Sequence, residues 1–231
     1  MNRVAGVVRM HGRDKWTWLY LPWAICLVNF AATLILGVFI GEPDRFNTGG
    51  VFSIFVYVFI SGMITLKQTF PFALGMGIRR ADYFLGTSAM SVFVSAITAA
   101  LLILLSAAEA RWTDGWGIRL HYFHLPFFHE GPEWQQTVTF FLLLQSLFFA
   151  GFIIASIHRR FGRAGMYVFF SLLFLIFAFT PLLLSYYDRW DDIGRWVQAN
   201  IRSLNDLAPW MVPLIGLCGL GSYAMLRRST V

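Results

Sequence analysis

The sequence is short of charge. Only 13% of its 231 residues are Asp, Glu, Lys or Arg, while 58% are hydrophobic. A soluble domain of this length covers its surface with about a quarter charged residues. That shortage excludes a soluble globule. Cysteine is scarce too: Cys26 and Cys218 both lie in apolar runs and read as small buried hydrophobes, leaving the redox compartment undetermined. Soluble catalytic signatures are missing. There is no GxxxxGK[ST] phosphate loop, no CxxC, no HExxH and no GxSxG. Gly75-Met76-Gly77 is too short for a nucleotide fingerprint and reads as a helix break. A cleavable signal is not expected, because the first apolar run begins near Trp18 and lasts more than about twenty residues without a small-residue cleavage pattern.

What is present is a series of apolar stretches of membrane-crossing length, about twenty residues for a helix. The expected fold is all-α, a single transmembrane domain over 1–231. Its six spans are placed at about 19–40, 48–66, 83–108, 136–157, 165–187 and 207–226. Residues 1–17 interleave Arg3, Arg9, Arg13 and Lys15 with Val4, Val7, Val8, Met10 and Trp16. This pattern predicts a basic amphipathic helix along the headgroups, a solvated tail being the alternative. Between the fifth and sixth spans, Asp188 to Asn205 places Trp190, Ile193, Trp196 and Ile201 at helical spacing, predicting an amphipathic helix at the outer surface.

The cations set the orientation. With the N-terminus inside, twelve of the eighteen Lys and Arg fall on inner segments against two of the twelve acids, a net of +10. The outer segments hold six cations and ten acids, a net of −4. Both termini are therefore expected in the cytoplasm, and the basic balance is a topology signal rather than a sign of nucleic-acid binding.

No expected span has an ionisable residue in its interior, which argues against an ion-driven carrier or an intramembrane enzyme. The strongest polar groups at depth are Asn29 and Gln145; each either bonds a neighbouring helix or lines a substrate path. In the polar segment Glu109 to Gln135, His121, His124 and His129 sit near Glu130 and Glu133. Two imidazoles at that spacing can ligate a metal, but Pro126 and Pro132 favour an ordinary solvated loop. No metal site is assigned.

The chain centres on Lys67 to Phe84, a basic, aromatic-rich stretch between the second and third spans. Phe70, Pro71, Phe72, Leu74, Met76, Gly77, Arg79 and Arg80 are the candidate contact with a soluble partner, since aromatics and Arg dominate interface hot spots. A loop tucked against headgroups is the alternative. The run from Phe70 to Phe84, with its small-x-Arg-Arg-x-x-Tyr pattern at Gly77 to Tyr83, resembles the coupling helix of ABC transporter permease subunits. The likeness is to the exporter class that carries drugs, lantibiotics, lipids and polysaccharides.

The resemblance implies a plasma-membrane permease without its own ATPase. It would pair with a second permease subunit, identical or not, and dock cytoplasmic ATPase subunits that hold ATP and Mg. The chain itself would need no cofactor, bind no nucleic acid, catalyse no reaction and contact membrane lipids. The long outer segment 109–135 is a departure from that family's pattern. The competing classes are a membrane scaffold or sensor subunit and a lipid-modifying membrane enzyme, the latter needing the histidine-bearing outer loop for its chemistry.

Overall fold

The computed structural model of the chain describes residues 3–40, 46–113, 115–124 and 131–228. Long apolar runs become helices because a backbone in hydrocarbon has to satisfy its own N–H and C=O groups. The helices are α1 (Arg3–Arg13), α2 (Leu21–Ile40), α3 (Phe52–Gly75), α4 (Arg80–Arg111), α5 (Glu133–Tyr186), α6 (Trp190–Asn200) and α7 (Ala208–Arg227). A wide π-type turn, Trp16–Tyr20, feeds α2, and a tight 3₁₀ turn, Leu204–Leu207, feeds α7. Two short strands, β1 (Phe46–Asn47) and β2 (Leu120–His121), pair in parallel with Phe46 opposite Leu120.

Among the described residues, five helical stretches are long and apolar enough to cross a bilayer: Trp16–Phe39, Phe52–Gly75, Arg80–Arg111, Glu133–Tyr186 and Leu204–Arg227. By length and hydropathy this is a multi-pass membrane protein. The expected fourth and fifth spans lie on one 54-residue element, α5. Its helical geometry fails at Gly162 (φ 64°, ψ −153°), a conformation that favours glycine. The His158 to Arg163 stretch, expected as a loop, is otherwise helical.

The structure corrects two further expectations. First, α3 does not stop at Leu66 but continues to Gly75 with Pro71 inside it, so no separate short helix stands between α3 and α4. Second, α4 runs on to Arg111 and carries Glu109, which the charge pattern had assigned to the polar segment. The expected amphipathic N-terminal helix forms as α1, and its buried face rests on α4. A Cβ on Gly86 of α4 would meet Val7 Cβ at 2.5 Å, and Val7 is buried in that notch. The helix expected within 188–205 forms as α6, with no buried residue.

The bundle centres on α5, which packs against α3, α4 and α7. Its two ends differ. One gathers α1, the α3–α4 bend, the Gly162 break and the end of α7 around Val7, Trp18, Phe70, Tyr83, Phe148 and Leu226. The other gathers the paired strands and the segment after α4 around Cys26, Phe55, Leu120, Tyr122 and Phe140.

Candidate functional site at the basic end of the bundle

The α3–α4 bend is a defined cap. Gly77 takes φ 74°, which lets its N–H reach Leu74 O at 2.9 Å and the Ile78 N–H reach Ala73 O at 3.1 Å. These bonds satisfy carbonyls that α3 leaves open at its end, the usual logic of a glycine-terminated helix. Arg79 is extended (φ −68°, ψ 147°) and its carbonyl accepts from the Tyr83 N–H at 2.9 Å, starting α4.

An aromatic shelf beneath holds the bend still. Phe70 is buried, edge-on to Tyr83 with ring centroids 5.1 Å apart. The Tyr83 hydroxyl lies 2.7 Å from Thr69 Oγ1, and the Arg159 guanidinium sits 5.1 Å above the Phe70 ring. Arg80 donates through Nη1 to the Arg227 carbonyl at 3.0 Å, tying α7 to the same place.

From the other side His11 closes against Trp18 and Tyr83, with centroids 5.3 and 6.1 Å away, and pairs with Thr87 Oγ1 at 2.9 Å. Burial pulls its pKa down to about 4, against the smaller upward pull of Asp14, so His11 is neutral at neutral pH.

The eight contact residues expected from sequence therefore divide. Phe70 is withdrawn into the core, because Tyr83 and Arg159 cover it. Phe72 is 60% exposed and Met76 53% exposed, and Pro71, Gly77 and Arg79 are exposed beside them. Leu74 and Arg80 are half-buried.

Asn29 and Gln145 are placed apart. Gln145 is buried and donates to Ser91 Oγ of α4 at 2.9 Å, while its Oε1 has no partner among the described residues. Ser91 borders a small cavity of about 20 Å³, also lined by Ser61, Ser95 and Thr98, room for a single water. Asn29 instead accepts at Oδ1 from the Tyr122 hydroxyl, 3.0 Å away, at the opposite end of the bundle.

Sequence reasoning missed Glu109. Its side chain is fully buried, and its two oxygens accept from the backbone N–H groups of Tyr122, Phe123 and His124 at 2.9 to 3.2 Å and from Trp116 Nε1 at 2.9 Å. Three successive amides and an indole form an anion nest that closes the segment after α4. The one signal in the sequence is an acid within an otherwise apolar helical run. His121 Nδ1 lies 3.6 Å from Glu109 Oε1, and His124 Nδ1 lies 2.9 Å from Ser106 Oγ. Burial lowers the His124 pKa, opposed by the Glu109 charge. His129 and Glu130 lie outside the described residues, which include no group of three metal-ligating side chains.

No family model, curated protein or solved structure matches this chain. Function has to be argued from the geometry. The basic end offers a hydrogen-bonded cap with two exposed apolar side chains and the exposed Arg79, a surface suited to a protein contact. The opposite end offers the Glu109 carboxylate, its two oxygens accepting from three backbone amides and an indole.

Proposed function

We propose that this chain is the permease subunit of an ATP-driven transporter of the ABC exporter kind, forming the substrate path as a dimer with a second permease subunit. The observation that carries the reading is the α3–α4 bend, where Phe72 and Met76 stand exposed on a cap braced by Phe70, Tyr83 and Arg159. A contact that transmits force has to be stiff beneath and apolar on top, and this one is both. The proposed partner is a separate cytoplasmic ATPase that holds ATP and Mg.

Six crossings with both termini in the cytoplasm fit this reading. Thr139, near the start of α5, bonds Asn205 at 2.7 Å, so the chain that passes Gly162 returns to the end from which α5 began. Residues 163–186 then make their own crossing. Arg80 on Arg227 and Val7 against Gly86 bring both chain ends to the α3–α4 bend. That is the end carrying the excess of cations, which marks the cytoplasmic face. A separate energy source agrees with the buried carboxylate of Glu109 being occupied by loop amides.

The test is affinity isolation of the tagged chain from its native membranes in mild detergent. The proposal expects a nucleotide-binding ATPase in stoichiometric amount, lost when Phe72 and Met76 are both changed to Glu. An ATPase-free preparation that binds substrate or signals unaided would instead identify a scaffold or sensor subunit.

A further inference from the structure

The seam between α3 and α5 has one feature that coupling to an ATPase does not require. Near the basic end the two helices frame a cavity of about 340 Å³ whose lining includes Met63, Leu66, Lys67, Ile154, His158 and Arg159. Its floor is apolar and its rim is cationic; among the described residues no carboxylate lines it. Arg159 is half-buried there, held in place by the Phe70 ring, and its Nε is buried without a partner among the described residues.

The same helix pair continues beyond its closest approach at Gly62 and Gly151 into a wholly apolar groove of about 540 Å³ that includes Phe52, Val56, Phe59, Leu143 and Leu147. Residues 52, 56, 59, 63 and 67 recur every three or four positions, so both hollows lie along one face of α3. From Phe52 to Lys67 that stripe is about 22 Å long at 1.5 Å per residue. One leaflet is about 15 Å deep, half of the hydrocarbon core.

We propose that the α3–α5 cleft holds one anionic phospholipid of the surrounding membrane, its phosphate between Lys67 and Arg159 and an acyl chain along the stripe toward Phe59. The charge complementarity selects the occupant. A neutral protein segment or a second copy would leave the cationic rim unpaired, and a zwitterionic lipid would bring its own cation to the site. Basic clefts between membrane helices at headgroup level suit acidic headgroups, at about 1 kcal/mol per cation. The half-buried Arg159 guanidinium at the rim pairs with the phosphate, and the apolar floor takes the glycerol and upper acyl carbons. The assignment is independent of which side of the membrane the basic end faces.

The experiment uses the full chain, delipidated in neutral detergent and titrated with phosphatidylglycerol, phosphatidylcholine or inorganic phosphate. Bound lipid is counted by native mass spectrometry and the thermal midpoint is followed in parallel. The expected result is one retained phosphatidylglycerol that raises the midpoint. Lys67→Gln, an exposed side chain outside the core, weakens it roughly fivefold, and adding Arg159→Gln weakens it by a similar factor again. Ala155→Trp, which fills the cleft without altering its charge, also displaces the lipid, whereas the exposed Arg163→Gln leaves binding unchanged. Equal retention of phosphatidylcholine would overturn the proposal in favour of ordinary lipid contact. Saturation by inorganic phosphate at comparable strength would overturn it in favour of a soluble anion. A change from monomer to dimer on delipidation, with no lipid dependence of the midpoint, would assign the cleft to a second copy. Should the double variant fail to fold, Lys67→Gln alone decides.

Discussion

Gly62 and Gly151 face each other where α3 and α5 touch: a Cβ on Gly62 would lie 2.2 Å from the Phe148 carbonyl oxygen, and one on Gly151 only 2.0 Å from that of Phe59. Neither position can take a methyl group unless the backbones separate. Small residues at such crossings let membrane helices approach closely, and dispersion contacts then hold them. Gly62→Ala and Gly151→Ala are each expected to cost about 1 to 3 kcal/mol by overpacking. Gly216→Ala, with nothing within 4 Å, is expected to be nearly silent. Melting in detergent, read by size-exclusion fluorescence, distinguishes the three.

Glu109 sets the second prediction. Changing it to Gln replaces an oxygen that accepts by an amide that donates, facing the N–H groups of Phe123 and Tyr122. A loss of about 2 to 4 kcal/mol is expected, the range for unsatisfied buried donors and a broken buried charge network. Glu133→Gln removes only an exposed ion pair with Arg111 and should cost less than about 1 kcal/mol. Equal melting points for the two variants would contradict the account of the nest.

His11 gives a pH prediction with a defined sign. Its folded pKa, about 4, lies below the ordinary 6.5, so the unfolded chain binds more protons throughout that window. Stability is fully present above pH 6.5 and falls as pH drops toward 4, by at most about 1.4 kcal/mol per unit for one proton. His124, also lowered by burial, adds to the slope with the same sign. His11→Gln should flatten the dependence measured between pH 7 and 5; an unchanged slope would place the proton elsewhere.

Topology is checked by labelling single cysteines in a Cys26→Ala/Cys218→Ala background. Trp112 is exposed beyond α4, and Arg79 is exposed on the α3–α4 bend. An impermeant maleimide added to intact cells should label Trp112→Cys and spare Arg79→Cys. The reverse pattern would put the basic end outside and remove any route to a cytoplasmic ATPase.

The long helices were legible in the sequence because the bilayer demands long apolar runs, and three basic segments, α1, the α3–α4 bend and the end of α7, lie at one end of the bundle. What escaped were relationships between elements. Phe70 and Phe72 look alike in the chain, yet one lies beneath Tyr83 and Arg159 and the other stands free. Glu109 reads as loop because it is charged; three converging amides from thirteen to fifteen residues onward and the Trp116 indole satisfy it in the core. Val7 reads as a headgroup anchor until Gly86 is seen to offer it a notch. Periodicity shows which face is apolar and says nothing of which partner covers it.

If Phe72 and Met76 carry the proposed contact with a separate ATPase, coupled turnover in reconstituted membranes depends on both side chains. Both side chains are exposed, so Phe72→Ala with Met76→Ala should leave insertion and melting unchanged. Losing an apolar anchor at such an interface typically costs about 2 kcal/mol, roughly thirtyfold in affinity. Substrate-stimulated ATP hydrolysis in that double variant should fall by at least that factor at limiting ATPase, while Leu217→Ala and Leu220→Ala, exposed on α7, leave it intact. Full coupled turnover in the Phe72/Met76 double variant would contradict the claim.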